Sequence, residues 1–210
     1  MQRVMPRVLS VNVGSVRTIE WRGREITTGI WKSAVAGRVA LLGVNFAGDD
    51  QADRTVHGGP DKAVYAYARE DYDYWRDEEG VETSNGLFGE NLTTEDLDLS
   101  RAVVGERWSV GSTLLEVAQP RLPCFKLGIR LNDSELPKRF LSASRMGAYL
   151  LVVEEGDVGA HDEVRVMHRP EHGVTLRDMV EALRSPVKAA ALGAVPRLPE
   201  FWRQVAEKKR

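Results

Sequence analysis

The residue with the clearest chemical potential is Cys124, the single cysteine of this 210-residue chain. It lies in the stretch QPRLPCFKL (119–127), with Arg121 three positions before it and Lys126 two positions after it. Nearby cations favour the thiolate over the thiol, and a thiolate is both a nucleophile and a ligand for soft metals. A buried cysteine that packs as a small hydrophobic residue is the alternative. The two prolines and the cations favour an accessible, reactive thiolate.

The segment around this cysteine carries a local excess of positive charge. Between residues 118 and 145 there are six basic and two acidic residues. The basic residues are Arg121, Lys126, Arg130, Lys138, Arg139 and Arg145. Because the whole chain has 29 basic and 31 acidic side chains, this excess stands out and predicts an anionic ligand.

A second candidate site lies in QADRTVHGGPDKAVYAYA (51–68), where His57 precedes a glycine-glycine-proline turn. Gly58 and Gly59 would let backbone amides approach a ligand closely, and His57 and Lys62 would place donors on either side. A surface loop with a hairpin-type turn is the alternative interpretation.

A third candidate site is GLFGENLTTEDLD (86–98), in which Glu90 and Asn91 follow the flexible residue Gly89. An asparagine side chain both donates and accepts hydrogen bonds, which suits the edges of a heterocycle. A polar turn before a short capped helix is the alternative.

Short strands separated by glycine and polar turns must position these groups. The predicted strands are Arg7–Val13, Ala34–Leu42, Lys62–Ala68, Arg107–Val110, Thr113–Ala118, Tyr149–Glu154 and Glu163–Met167. One helix is predicted over Glu70–Glu79, ending at Gly80, and a turn is predicted from Gly156 to Gly159. The pattern indicates a mainly β (α+β) fold of the sandwich or barrel type.

After Pro170 the spacing of apolar residues changes from the pattern of strands to that of helices. Thr175 and Asp178 form a capping box before apolar residues at helical spacing, which predicts a first helix. A second helix is predicted from Pro186 to a stop at Gly193, and a third from Pro199. The predicted division is therefore 1–170 as a β domain and 171–210 as a three-helix segment.

Composition excludes several classes of protein. The net charge of −2 argues against a dedicated nucleic-acid binder, and one cysteine cannot build a disulfide scaffold or an iron–sulfur cluster. No apolar run is long enough to span a membrane, and the N-terminus has no secretory signal. We therefore expect a cytoplasmic protein.

The three candidate stretches, taken together and in this order, resemble the MOSC family, named for the C-terminal domain of molybdenum cofactor sulfurases, and specifically its YiiM-type branch. The resemblance covers almost the whole chain. The matching pieces are TGIWKSAVAGRV (28–39), GDDQADRTVHGGPDKAVYAYAREDYDYW (48–75), FGENLTTEDL (88–97), QPRLPCFKL (119–127) and MGAYLLVVEEGDV (146–158). YiiM-type proteins also carry a three-helix segment after the β domain. One departure is His161, at a position where glycine is commoner, so we expect an altered turn there.

The resemblance implies a β-barrel-like domain that binds the molybdenum cofactor. In characterised members, the cysteine that matches Cys124 is a molybdenum ligand, and the enzymes reduce N-hydroxylated compounds such as 6-N-hydroxylaminopurine. An alternative family role is a sulfur carrier that holds a persulfide on Cys124. Pyridoxal phosphate binding is associated with the family as a whole.

The expected mechanism assigns a role to each candidate residue. Cys124 would ligate molybdenum, while Lys32, Arg121 and Lys126 would neutralise the anionic cofactor. Lys62 would bind the cofactor as a donor beside the glycine turn. Backbone groups near Gly58 and Gly59, with Glu90 and Asn91, would hydrogen-bond the pterin or substrate. His57 would supply a proton as the N–O bond breaks.

Electrons would come from a separate donor protein, because the chain has no flavin, haem or iron–sulfur signature. Two further alternatives stay open. One is a storage module without turnover. The other is a zinc site built from Cys124 with some of the histidines, which their irregular spacing disfavours. The histidines are His57, His161, His168 and His172.

Overall fold

The elements of the computed structural model, which describes residues 5–52 and 59–208, are mostly short strands. The strands are β1 (Arg7–Val13), β2 (Arg17–Trp21), β3 (Arg24–Thr28), β4 (Ser33–Val35), β5 (Arg38–Leu42), β6 (Asn45–Phe46), β7 (Val64–Ala68), β8 (Leu92–Glu95), β9 (Arg107–Val110), β10 (Thr113–Pro120), β11 (Ala148–Glu154), β12 (Gly156–Gly159) and β13 (Val164–His168). The helices are α1 (Arg69–Glu79), α2 (Phe125–Arg130), α3 (Leu136–Ala143), α4 (Leu176–Ala182), α5 (Pro186–Ala191) and α6 (Glu200–Lys208). Short 3₁₀ turns lie at Pro60–Lys62, Leu99–Arg101 and Leu192–Ala194. The mainly β (α+β) prediction is confirmed.

Eight strands form one sheet in the order β13-β9-β10-β11-β7-β8-β1-β4. All neighbours are antiparallel except β7 and β8, which are parallel. A second sheet has the order β12-β5-β6, and β2 and β3 form a separate hairpin. Because the large sheet has β13 and β4 as its edges, no sheet closes within the described residues, and the barrel-like architecture is not confirmed.

Strand prediction succeeded where apolar residues alternate. β1 and β9 have the predicted bounds, and β1 buries Val8 and Val11 in the core. The strand predicted over 34–42 is instead two strands, β4 and β5, because Gly37 turns the chain with φ +77°. The turn predicted at 156–159 is strand β12, since that segment pairs with β5.

A hairpin and two helices of the structure were not predicted from the sequence. The β2–β3 hairpin turns at Arg22 and Gly23, both at positive φ (52° and 73°). An Arg-Gly pair carries a weaker hairpin signal than the Asn-Gly or Asp-Gly pairs that favour this turn. Helices α2 and α3 follow the proline-rich stretch that looks like a loop in the sequence.

The C-terminal helices begin as predicted. The Thr175 side chain accepts from the Asp178 amide and the Asp178 carboxylate accepts from the Thr175 amide, which completes the capping box. Ser185 caps α5. Trp202 of α6 is fully buried in the same apolar cluster as Val117 of β10, so these helices share the core of the large sheet. The division at residue 170 stays a prediction.

An aromatic cluster supports the other side of the sheet, beneath the candidate site. Phe140 stacks on Trp75, with ring centroids 5.2 Å apart, and Phe88 stacks on Tyr72 at 4.9 Å. Tyr67 contacts this group with its ring and accepts a hydrogen bond from the Trp75 indole at 2.8 Å. These rings anchor the segment 86–91 through Phe88, which also lines the cleft described below.

Candidate functional site

A cleft of about 610 Å³, measured with its open mouth, brings most of the predicted site residues together. Six of the ten line it: Lys32, Lys62, Asn91, Arg121, Cys124 and Lys126. They come from four separate stretches of the chain, which the fold brings together in one cleft. A concave pocket with several converging polar groups is the usual form of a small-molecule site.

Cys124 lies in this cleft at the start of α2. Its backbone is extended (φ −120°, ψ 169°), and its carbonyl accepts from the Leu127 amide at 3.0 Å, which begins the helix. The side chain is partly exposed, so it does not pack as an ordinary core residue. The thiol therefore faces a space that a ligand can enter.

Arg121 supplies a buried positive charge beside Cys124. It is 5% exposed and lies over the rings of Tyr65 and Phe140, at 5.5 and 5.7 Å from their centroids. Its Nη1 is buried without a hydrogen-bond partner among the described residues. Burial lowers the pKa of Arg121, whereas its electrostatic interactions with Tyr65, Tyr149 and Cys124 raise it, and the net direction is upward. The guanidinium therefore stays charged and places a positive charge beside Cys124.

Two lysines add charge to the cleft. Lys126, in the first turn of α2, donates from Nζ to the Thr27 carbonyl at 2.9 Å. Lys62 ends the 3₁₀ turn Pro60–Lys62, and its amide donates to the Gly59 carbonyl at 3.1 Å. Gly59 itself has φ +95°, a conformation that favours glycine. Gly59 does not line the cleft but shapes the turn that carries Lys62, and its predicted contact with the cofactor stays a prediction.

The Lys32 side chain forms an ion pair inside the wall of the cleft. Its ammonium pairs with Asp49, and both side chains are almost completely buried, at 7% and 2% exposure. Burial lowers the pKa of Lys32, and the Asp49 carboxylate opposes that shift. The pair is neutral as a whole, so Lys32 adds little net charge to the cleft. Its predicted contact with the cofactor stays a prediction.

Asn91 is likewise held by its own chain. Its side-chain oxygen accepts from the Tyr65 amide at 3.1 Å, and its Nδ2 donates to Asp49 at 2.8 Å. Its backbone amide donates to the Tyr65 carbonyl at 2.7 Å. Both ends of the amide are therefore used to fix the wall, and its contact with a heterocycle stays a prediction.

Glu90 does not line the cleft. It is fully buried, and its Oε1 accepts from Tyr72 at 2.7 Å, from the Gly86 amide at 2.6 Å and from Thr93 at 2.8 Å. Burial raises the pKa of Glu90, and these hydrogen bonds lower it in part. The carboxylate organises the turn 86–90 from behind the wall, and its predicted contact with a ligand stays a prediction.

The turn that contains Glu90 lies unusually close to the segment 30–32. Gly89 has φ +83°, and a Cβ built on it would lie 2.9 Å from the Ile30 side chain. Only glycine allows this approach, which brings both segments into one wall of the cleft.

The remaining predicted residues, His57 and Gly58, lie outside the described residues. The zinc alternative also depends on His57. Within 5–52 and 59–208, no group of three or more histidine, cysteine, aspartate or glutamate side chains is arranged to hold a metal ion.

Most of the basic side chains of residues 118–145 lie away from the cleft. Arg139 pairs with Glu79 and Asp133 at 3.0 and 2.9 Å, and Arg145 pairs with Asp71 at 2.6 Å. Arg130 lies over the ring of Trp31. Of the six basic residues counted in the sequence, only two line the cleft, Arg121 and Lys126.

Tyr149 is a cleft residue that the sequence analysis missed. It lies on β11, lines the cleft, and hydrogen-bonds with Arg121. Burial raises its pKa, opposed by the charge of Arg121, so the phenol keeps its proton at neutral pH. The residue is part of an alternating strand pattern, which is why its sequence reads as core rather than as a site.

Comparison with known proteins places these features in one family. The MOSC domain family profile matches residues 53–165. The uncharacterised protein YflK of Bacillus subtilis is 37% identical over 170 residues, which is 81% of this chain and 77% of YflK. Protein YiiM of Escherichia coli is 34% identical over 67% of this chain and 64% of its own length.

A protein named reductase, from Gibberella moniliformis, is 34% identical over 70% of this chain. The matched region is 27% of that protein's length. Among solved structures, YiiM of Geobacillus stearothermophilus has a TM-score of 0.79 and 27% identity, covering 97% of this chain and 98% of the other.

Across the part of the chain that the structure describes, no helix has both the length and the apolar character needed to cross a membrane.

Proposed function

The chain belongs to the MOSC domain family as a YiiM-type member, and on this premise we propose that it binds the molybdenum cofactor around Cys124 and reduces N-hydroxylated compounds. The observation that carries the proposal is the convergence of Cys124 with Arg121, Lys62 and Lys126 in one cleft. Molybdenum-cofactor association fits the family, and reductase chemistry fits the name of the Gibberella relative.

The donor set of the cleft suits a ligand that joins a soft metal to an anionic group. A cysteine thiolate is a soft ligand, and the cations nearby match a phosphate. The buried Nη1 of Arg121, which has no partner among the described residues, supports this fit, because a buried donor is costly unless a ligand satisfies it.

When bound, the cofactor supplies a metal centre that can take up two electrons and pass them on. The overall change would be R–NHOH plus two electrons and two protons to R–NH₂ and water. A separate electron-donor protein would provide the electrons. The chain itself would bind and orient the reactants.

Each role falls to a group with matching chemistry. The Cys124 thiolate would hold the metal, and the Arg121 guanidinium, kept charged by its surroundings, would stabilise both the thiolate and an anionic ligand. Lys62 and Lys126 would hold the phosphate. His57, as predicted from the sequence, would deliver a proton to the departing oxygen. Pyridoxal phosphate binding stays a family-level prediction and forms no part of this reaction.

A persulfide carrier is the second candidate function. It is favoured by the accessibility of Cys124, whose neighbour Phe125 is 56% exposed at the start of α2. A sulfur-donating protein could reach a thiol in this position. In that case sulfane sulfur, rather than molybdenum, would accumulate on Cys124.

The two candidates are separated by one comparison. Protein from a cofactor-competent host is assayed for 6-N-hydroxylaminopurine reduction with a chemical electron donor, as wild type and as Cys124→Ser. We expect a loss of about 100-fold or more, because even residues that only support a metal ligand cost 10- to 100-fold. Lys126→Met should weaken turnover, whereas the exposed Lys138→Met serves as the charge-matched control outside the cleft. Cys124-dependent sulfane sulfur after incubation with a cysteine desulfurase, without reductase activity, would favour the carrier.

A further inference from the structure

Gln119 joins the C-terminal helices to the turn at the rim of the cleft. It lies at the end of β10 and is 6% exposed. Its Oε1 accepts from the Trp202 indole nitrogen at 3.0 Å, and its Nε2 donates to the Asp61 carbonyl at 3.3 Å. One buried amide thus connects α6 with the Pro60–Lys62 turn.

An ion pair makes a second connection between the C-terminal segment and the Pro60–Lys62 turn. Arg197, which precedes α6, donates to the Asp61 carboxylate at 3.0 Å. Trp202, five positions later, is fully buried in the main core, so this end of the chain is firmly anchored. Asp61 is therefore held through its backbone by Gln119 and through its side chain by Arg197.

These contacts to Asp61 fix the position of the next residue, Lys62. Lys62 lines the cleft with Cys124, and its carbonyl accepts from the Gln51 side chain at 3.2 Å. Successive carbonyls of the turn are thus fixed by two side-chain amides. Gln119 also lies two residues before Arg121, so its own position is tied to the other cation of the cleft.

We propose that Gln119 and Arg197 are positioning residues through which the C-terminal helices set the positive potential at Cys124. Both act on Asp61 and hold the Lys62 ammonium at the cleft. The inference rests on the proposed function in one respect, namely that this cleft is where an anionic ligand binds. It gives the C-terminal segment a role within the site.

Because Cys124 is the only cysteine, its alkylation reports on this potential without any cofactor. Iodoacetate is an anion and iodoacetamide is neutral, and both react with the thiolate. The ratio of their two rate constants therefore measures the local potential and cancels changes in thiol ionisation and access. The measurement is made on the full-length protein at low ionic strength, where screening is weak.

Lys62→Met is expected to lower the ratio about 3- to 10-fold, the size of effect that one nearby charge produces. Gln119→Met should lower it by a similar factor, and Arg197→Met by about 2-fold or more. In a Lys62→Met background, neither second change should lower the ratio further. Arg203→Met is the matched control, since Arg203 is also exposed near this end of the chain but pairs with Glu200 within α6. We expect it to leave the ratio unchanged.

Gln119→Met removes a partner from a buried indole, so its fold is checked by circular dichroism, and the exposed Arg197→Met provides the second variant. An unchanged ratio in folded Gln119→Met and Arg197→Met would overturn the proposal. The proposal would also be overturned if Gln119→Met and Arg197→Met lowered the ratio of rate constants equally in the wild-type and Lys62→Met backgrounds. That result would mean that Gln119 and Arg197 act directly or by destabilising the fold. The alkylation is measured on protein produced without the molybdenum cofactor, because a metal on Cys124 would block the thiol. Either result therefore leaves the proposed function to its own test, which is the molybdenum content of protein from a cofactor-competent host.

Discussion

The Lys32 ammonium pairs with the Asp49 carboxylate inside the wall of the cleft, where both side chains are almost completely buried. Asp49 also accepts from the Gly14 amide at 2.9 Å and from the Asn91 side chain at 2.8 Å. These contacts join four segments of the chain, around residues 14, 32, 49 and 91. They also make Lys32, a cofactor ligand in the sequence-based hypothesis, a member of a structural network.

Removal of Lys32 should therefore destabilise the fold. Lys32→Met leaves a buried carboxylate without its cation, and we expect the free energy of unfolding to fall by about 3–5 kcal/mol. Lys32→Met combined with Asp49→Asn should be less unstable than the two single changes predict, as urea unfolding can measure. Unchanged stability of Lys32→Met, with loss of bound cofactor, would instead support the direct role.

Glu90 should be replaceable by glutamine but not by leucine. Glu90→Gln keeps an oxygen for Tyr72, Thr93 and Gly86, so we expect a change below about 1.5 kcal/mol at neutral pH. Glu90→Leu leaves these buried donors unpaired and should cost about 3 kcal/mol or more. Equal stability of the two variants in urea unfolding would contradict this structural role.

The raised pKa of Glu90 predicts how the stability of Glu90→Gln, relative to wild type, changes with pH. Burial raises the pKa of Glu90, so the ionised carboxyl disfavours the folded state above its folded pKa. That penalty disappears as the pH falls below the usual glutamate pKa of about 4.3. The stability of Glu90→Gln relative to wild type should therefore decrease as the pH is lowered from neutral towards this value. An increase would be inconsistent with a raised pKa.

His161 occupies a backbone conformation that favours glycine, with φ +72°. Its amide donates to the Val8 carbonyl at 2.7 Å, which holds the turn between β12 and β13 against β1. His161→Gly should relieve about 1 kcal/mol of backbone strain, partly offset by the greater flexibility of glycine in the unfolded chain. We expect a small increase in melting temperature. A decrease would mean that the imidazole itself contributes to stability.

The C-terminal helices should unfold together with the sheet. Trp202→Ala removes a fully buried side chain from the shared core and should cost about 3–5 kcal/mol. The tryptophan fluorescence, to which Trp108 of β9 contributes, should follow the same single transition as the helical circular dichroism. Phe201→Ala, at an exposed neighbouring position, is the control. Two separate transitions would show that 171–210 is an independent unit.

The sequence predicted the parts of the fold that local patterns determine. The bounds of β1, the end of α1 at Gly80 and the capping box of α4 follow from alternation, a left-handed glycine and side-chain capping. The openness of the large sheet and the pairing of β12 with β5 depend on contacts between distant segments, which periodicity does not encode.

The same limit applies to the site. The fold brings Cys124, Arg121 and Lys62 to one cleft, and their roles there stay predictions. The burial of Glu90 and the distribution of the other arginines among carboxylates and aromatic rings could not be read from residue type, because both depend on tertiary packing. Tyr149 was missed for the same reason.

The central claim is that Cys124 holds molybdenum in a cationic cleft. The most direct test is the molybdenum content of protein purified from a cofactor-competent host, measured by elemental analysis for wild type and Cys124→Ser. We predict close to one molybdenum per wild-type chain and a loss of most of it in the variant. Metal-free wild-type protein, or equal molybdenum in folded wild type and Cys124→Ser, would contradict the claim.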